Sequence, residues 1–249
     1  MTPVLEAKKL CCGYGEDQVV TELDLYVNSG EIVALLGPNG AGKTTTLRCL
    51  SGEIRLQSGD LLWDGAPAQG PLHRRIRNGM GLVTEEKSVF MRLTTLENLK
   101  LGRIDPEEAF ALFPELRNRA KVKAGQLSGG EQQMLTLARV LARKPRLLLA
   151  DELSLGLAPL AVERLLAALR SAAADGVGVL LVEQHVSKVL EYANRAYVMN
   201  KGRIEMHGTS VELRQSLLQM EASYLGRTGP QPGSTQDVPS MNGGTPHAH

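Results

Sequence analysis

The sequence predicts an α/β protein: a three-layer sandwich with an N-terminal antiparallel β subdomain and a short helical insert. Three observations carry that prediction. Gly37-Pro38-Asn39-Gly40-Ala41-Gly42-Lys43-Thr44 satisfies G-x-x-x-x-G-K-[ST] without a mismatch. It stands between Ile32-Val33-Ala34-Leu35-Leu36, which reads as a buried strand, and a run through Leu50 that reads as a helix. From Arg146 onward, apolar strand runs alternate with amphipathic helical runs, as in a parallel sheet covered on both faces. Between Glu85 and about Arg139 the strand signal fades and helical sequence takes over, which defines the insert.

Residues 4–10 and Leu23-Asp24-Leu25-Tyr26-Val27 alternate apolar and polar, as half-buried strands do, with a turn-rich stretch holding Tyr14 between them. The helix after Lys43 is expected to stop near Ser51-Gly52. Ser58-Gly59 and Asp64-Gly65 bracket a short strand at 60–63, a basic helix covers about 71–78, and Met80-Gly81-Leu82-Val83 reads as a core strand. In the insert, Thr95 to Leu101 and a run to Phe113 are helical, the second with Asp105 as N-cap and Pro106 at its first position. Ser128 and Glu131 have capping-box spacing, and Met134, Leu137, Ala138 and Leu141 form one apolar face of the helix they open. Arg146 to Ala150 is an apolar strand that empties into Asp151-Glu152. Pro159 starts a helix closed by Asp175-Gly176. A strand (Val177 to Val182), a helix (about 186–193), and a strand, turn and strand through Met206 follow. After Leu225 the composition turns to Gly, Pro, Ser, Thr and Asn, so residues 228–249 are expected to be a disordered tail and 3–227 one domain, with the insert at about 86–139.

Composition narrows the classes. With 249 residues, 43% of them hydrophobic, one domain with a full core or one domain plus a small insert is expected, not two large domains. A net charge of +1 lacks the concentrated basic face of nucleic-acid binders, so no nucleic-acid partner is expected. No run approaches a membrane span, and the first residues lack a signal peptide's apolar stretch. Cys11, Cys12 and Cys49 have neither a disulfide framework nor metal spacing and read as buried thiols.

The matched loop carries the first chemistry. Its glycines let consecutive N–H groups converge on an anionic cluster at the start of a helix. Lys43 would reach the β- and γ-phosphates of a nucleotide, and the Thr44 hydroxyl would ligate Mg²⁺, with Thr45 completing the cradle. Asp151, at a strand end, is placed to hold the same ion, and Glu152 to act as general base on an attacking water. Ser128-Gly129-Gly130 offers a hydroxyl and bared N–H groups at a helix start, a second phosphate-binding face.

Leu127-Ser128-Gly129-Gly130-Glu131-Gln132-Gln133 resembles the signature of ATP-binding cassette (ABC) ATPases, and the resemblance covers about residues 3 to 227. It implies a P-loop NTPase sandwich of the ABC type that hydrolyses ATP with Mg²⁺. It also implies a head-to-tail dimer in which the signature of one subunit closes over ATP held by the other, as homodimer or heterodimer. Tyr14 looks like the aromatic that stacks on adenine. Glu85 stands where the family usually has a Gln that touches Mg²⁺. Ser154-Leu155-Gly156-Leu157-Ala158-Pro159 fills the place of the loop that contacts the partner subunit, with Leu153 where Pro and Ala158 where Asp are common. Val182-Glu183-Gln184-His185 holds the switch position, which either Gln184 or His185 could fill.

Glu85, the S-L-G-L-A-P loop, V-E-Q and Leu112-Phe113-Pro114-Glu115-Leu116 together look like ATP-binding subunits of branched-chain amino acid importers. That likeness implies transmembrane permease subunits as partners, an extracytoplasmic solute-binding protein acting indirectly, and a peripheral place on the cytoplasmic membrane face. The alternatives are an exporter's ATPase subunit and a soluble ABC ATPase outside transport.

Overall fold

The computed structural model describes residues 2–86, 88–184 and 186–216. Those up to Arg214 form one compact unit; the tail expected at 228–249 and His185 lie outside the described residues.

Two sheets organise the unit. β1 (Leu5–Tyr14) pairs antiparallel with β2 (Asp17–Val27) and, on its other edge, with β4 (Leu56–Trp63), which continues into β5 (Ala66–Pro67). The second sheet is built from β3 (Ile32–Leu36), β6 (Met80–Val83), β7 (Leu147–Asp151), β8 (Gly178–Glu183), β9 (Arg195–Asn200) and β10 (Arg203–Thr209). Its order is β10-β9-β3-β8-β7-β6, parallel except for the β9–β10 hairpin. Strands β3, β7 and β8 are buried at every position, which explains why they read as continuous apolar runs instead of alternating ones.

Alternation is still present within those runs. Val33, Leu35, Leu147, Leu149, Leu180 and Val182 join Leu5, Leu10, Leu23 and Leu25 of the antiparallel sheet and Leu47 and Leu50 of helix α1 (Lys43–Ser51) in one core cluster. The intervening residues face the opposite layer, where α5 (Gly129–Leu141) lies against β6 and α6 (Pro159–Ala174) against β3 and β8. The three-layer prediction is thus met, with the antiparallel sheet and α1 as the first layer.

The strands at the N-terminal end run longer than their alternation suggests. Tyr14 closes β1 instead of sitting in a loop, and β2 begins at Asp17. Register shifts between Ala7 and Gly13 break the period-two pattern there. Gly59 likewise interrupts β4 without ending it. Its φ of 88°, with a would-be Cβ only 2.3 Å from the Lys9 carbonyl oxygen, marks a close crossing that a side chain would block.

The insert contains α3 (Thr95–Leu101), capped by a Thr94–Glu97 capping box, and α4 (Pro106–Leu112), with Asp105 as N-cap. Buried Asn98 ties the approach loop to α3: its Oδ1 accepts from the Phe90 N–H at 2.8 Å, and its Nδ2 donates to the carbonyls of Phe90 (3.1 Å) and Thr94 (3.0 Å). Helix α2 (Leu72–Arg77) is basic, as read, but it is not merely a solvated face. Arg75 turns inward and donates to the carbonyls of Cys49 (3.3 Å) and Leu50 (2.6 Å), satisfying groups at the C-terminal end of α1. All three cysteines are buried free thiols. No helix among the described residues is long and apolar enough to cross a membrane.

Candidate functional site

β3 delivers the chain to the phosphate loop and α1 carries it away. Gly42, the N-cap of α1, sits at φ 101°, a left-handed conformation open to glycine at little cost. At Gly37 the requirement is spatial, because an added Cβ would lie 2.2 Å from the Met199 carbonyl oxygen of β9. The loop is also held from behind: the Gly202 N–H, in the β9–β10 turn, donates to the Ala41 carbonyl at 2.9 Å. Lys43 is 4% exposed, and its ammonium donates to the Gly37 (2.8 Å) and Pro38 (3.1 Å) carbonyls along the loop. Gly37→Ala is expected to displace this backbone, destabilising the fold by ~1–3 kcal/mol and weakening nucleotide binding. Chemical denaturation and nucleotide titration of the same variant would check both.

Tyr14, 46% exposed, lies at the end of β1, where its phenol oxygen accepts from Arg48 Nη1 of α1 at 3.3 Å. An exposed aromatic is thereby held against the phosphate-loop helix, an arrangement suited to stacking on a base.

Strand β7 ends at Asp151, only 3% exposed. The Thr44 hydroxyl hydrogen-bonds this carboxylate, while its Oδ1 is buried with no partner. Burial, followed by the neighbouring Glu152 and Glu85 carboxylates, pushes the Asp151 pKa up to about 6, against the opposing pull of Thr44 and Lys43. A buried, unsatisfied carboxylate oxygen beside a threonine hydroxyl and the phosphate loop fits a divalent cation, which prefers hard oxygen ligands. Glu85 is exposed, and its charge reaches Asp151. The phosphate loop and the carboxylate that ends β7 therefore meet in one place, with Glu152 next to it in the chain.

Glu152 follows with φ 47°, a left-handed conformation that costs a non-glycine residue on the order of 1 kcal/mol or more. The end of β8 grips it: the Glu152 N–H donates to the Val182 carbonyl at 2.9 Å, and Gln184 Nε2 donates to Glu152 Oε1 at 2.6 Å. Of the two switch candidates, Gln184 therefore reaches Glu152, while His185 is not described. Gln184→Ala is expected to slow ATP hydrolysis roughly tenfold or more by freeing the Glu152 side chain. Steady-state phosphate release by Gln184→Ala and His185→Ala, measured in parallel, would tell which residue acts.

Ser128 caps α5 as its spacing predicts, with its Oγ accepting from the Glu131 N–H (3.2 Å) and its own N–H donating to Glu131 Oε2 (2.8 Å). Arg119 Nε braces Glu131 at 2.8 Å. Ser128 is exposed, and no hydrogen bond among the described residues joins Ser128, Gly129 or Gly130 to the phosphate loop. Glu183 received no role from sequence reasoning, yet it is a buried carboxylate that bonds the loop after Glu152. The available signal was an ionisable residue closing a wholly apolar strand, which demands a partner.

A phosphate loop between a central parallel strand and its helix, with an Asp-Glu pair ending the strand two places away, defines a P-loop NTPase. The chain belongs to the ABC transporter family of ATP-binding proteins, whose profile, described as ABC transporter, matches residues 20–154. It is 40% identical over 233 residues to the high-affinity branched-chain amino acid transport ATP-binding protein BraG of Pseudomonas aeruginosa, covering 90% of this chain and 100% of that protein. It is also 36% identical over 237 residues to the lipopolysaccharide export system ATP-binding protein LptB of Escherichia coli, covering 89% and 97% respectively. A crystal structure of the ADP conformation of an ATP-binding cassette of an ABC transporter superimposes with a TM-score of 0.81 at 22% identity, over 92% of this chain and 100% of that one, a likeness of fold. The chain is thus a nucleotide-binding ATPase subunit of an ABC transporter.

Proposed function

We propose that this chain powers an importer of branched-chain amino acids, or of a related small polar solute, from the cytoplasmic face of the membrane. The 40% identity to BraG over the whole of that protein carries the substrate class. The 36% identity to LptB favours a second reading, an exporter's ATPase, over any role outside transport. Uptake of labelled leucine by cells lacking this chain, restored by the wild type and not by a Glu152→Gln variant, would support the importer. Unchanged uptake together with co-purification of a permease pair would select the exporter.

In the proposed reaction, the loop Gly37 to Thr45 cradles the phosphates, Lys43 neutralises the β/γ charge and Tyr14 stacks on the base. Thr44 and Asp151 would hold Mg²⁺, with Glu85 near it, and the ion would supply positive charge against the phosphate oxygens. Glu152 accepts the proton of the water that attacks the γ-phosphate, and Gln184 orients Glu152; ADP and phosphate leave. Ser128, Gly129 and Gly130 of a second subunit close the site. Permease subunits dock on the insert, which exposes the apolar side chains Phe90 (50%), Met91 (47%) and Leu101 (56%). An extracytoplasmic solute-binding protein acts on the permease and touches this chain only indirectly.

A further inference from the structure

The end of β8 holds the turn around Glu152 at three successive residues: the Val182 carbonyl accepts from the Glu152 N–H and Gln184 donates to its side chain, as described above. The third is made by Glu183, 2% exposed, whose Oε1 accepts the Ser154 N–H at 2.9 Å and whose Oε2 accepts the Ser154 hydroxyl at 2.8 Å. The Ser154 N–H and hydroxyl thus each meet one oxygen of the buried Glu183 carboxyl. Burial raises the Glu183 pKa above the usual carboxylate range and the nearby Glu152 charge adds to the rise, against the opposing pull of the two Ser154 donors and the Gln184 N–H. A carboxyl buried at the end of an otherwise apolar strand is costly to keep and needs a compensating use.

We infer that Glu183 is a positioning residue for hydrolysis: through Ser154 it fixes the left-handed backbone at Glu152 and the start of the loop that runs on to Pro159. The geometry gives the reason. Glu152 has φ 47°, and Ser154 is two residues beyond it. With the Glu152 N–H fixed to Val182 on one side and Ser154 fixed to Glu183 on the other, the turn has no freedom to relax toward a right-handed conformation. Burial of Leu153, 2% exposed, pins the residue between them. The Glu152 side chain then points toward Gln184, at the third step of the same strand end. Loosening the Ser154 contact lets Glu152 wander from the position a general base must keep, and a displacement of about 1 Å can cost on the order of a hundredfold in rate.

This inference rests on Glu152 acting as the base, and the test separates the two. Ser154→Ala, Ser154→Thr, Glu183→Gln and the Glu183→Gln/Ser154→Ala double variant are made in the full chain. For each, kcat and KM for ATP are measured beside a thermal midpoint, with Glu152→Gln as reference. Ser154→Ala removes the hydroxyl bond to Glu183 and keeps the backbone one; it is expected to lower kcat roughly tenfold or more with KM unchanged, because neither the phosphate loop nor Tyr14 is touched. Ser154→Thr, which keeps both donors, is expected to restore most of that loss. The double variant should be no slower than the worse single one, since both substitutions act on the same Ser154–Glu183 pair. If Glu152→Gln is inactive while Ser154→Ala and Glu183→Gln turn over at the wild-type rate, or if their losses multiply, the positioning role is wrong and the base assignment survives. If Glu152→Gln itself keeps its turnover, the base assignment falls first and the inference goes with it.

Discussion

Glu152→Gln is expected to bind ATP with unchanged affinity and to hydrolyse it at least ~100-fold more slowly, the lower end of what a positioned general base contributes. The substitution isolates proton acceptance because it leaves the other contacts in place. A glutamine at this position keeps a carbonyl oxygen to accept the Gln184 amide, which now bonds Glu152 Oε1 at 2.6 Å. The Glu152 N–H bond to the Val182 carbonyl, at 2.9 Å, does not depend on the side chain. The phosphate cradle from Gly37 to Thr44 loses nothing, so binding and chemistry should separate cleanly. A fluorescent-nucleotide titration paired with phosphate release would show it; turnover within a few-fold of wild type would remove Glu152 from the role of base.

Glu152 also shows how far the sequence could be read and where it stopped. That Asp151-Glu152 ends a buried strand near the phosphate loop was legible because four leucine and alanine positions in a row leave little but a doubly covered parallel strand. The capping box at Ser128, the Asp105-Pro106 helix start and the Gly52 helix stop were legible because each rests on one residue satisfying backbone groups a fixed number of positions away; the box at Thr94 follows the same rule but was not read. What the chain did not disclose is long-range. β1 and β4 run through positions that local patterning marks as turns, because their pairing carries them over bulges at Lys9 and Gly59. Arg75 looks like one more surface charge in a basic helix until α1 presents carbonyls to it across the fold. Glu183 and Ser154 are 29 residues apart, and no spacing rule joins them. The choice between Gln184 and His185 stays open: Gln184 follows the end of β8 and its Nε2 reaches Glu152, while His185 lies outside the described residues.

Asp151→Asn is expected to abolish Mg²⁺-dependent hydrolysis and, measured without metal or nucleotide, to make the protein more stable at pH 7. The two effects have one cause. Asp151 is 3% exposed and carries an oxygen with no hydrogen-bond partner, so its ionised form is poorly supported by the protein alone, and its pKa rises to about 6. With an ordinary value of 3.8, the difference of about 2.2 units corresponds to roughly 3 kcal/mol of destabilisation once the group is charged in both states. The sign follows from proton counts. Between the two pKa values the folded state binds more protons than the unfolded state, so stability falls as pH rises from about 3.8 through about 6. Asparagine does not titrate, so its advantage should be near zero below about pH 4 and reach ~2–3 kcal/mol above pH 7. Urea denaturation of both proteins across that range would read it directly. A constant difference at all pH values would mean that packing, not charge, separates them; a less stable variant at pH 7 would mean that the Thr44 hydroxyl already satisfies the carboxylate. Either outcome would weaken the case for a cation, because a site that costs the protein nothing when empty has no excess charge for an ion to neutralise. A stabilised and inactive variant would mark Asp151 as a residue kept against the interest of the fold, for the ion it would hold beside the phosphates.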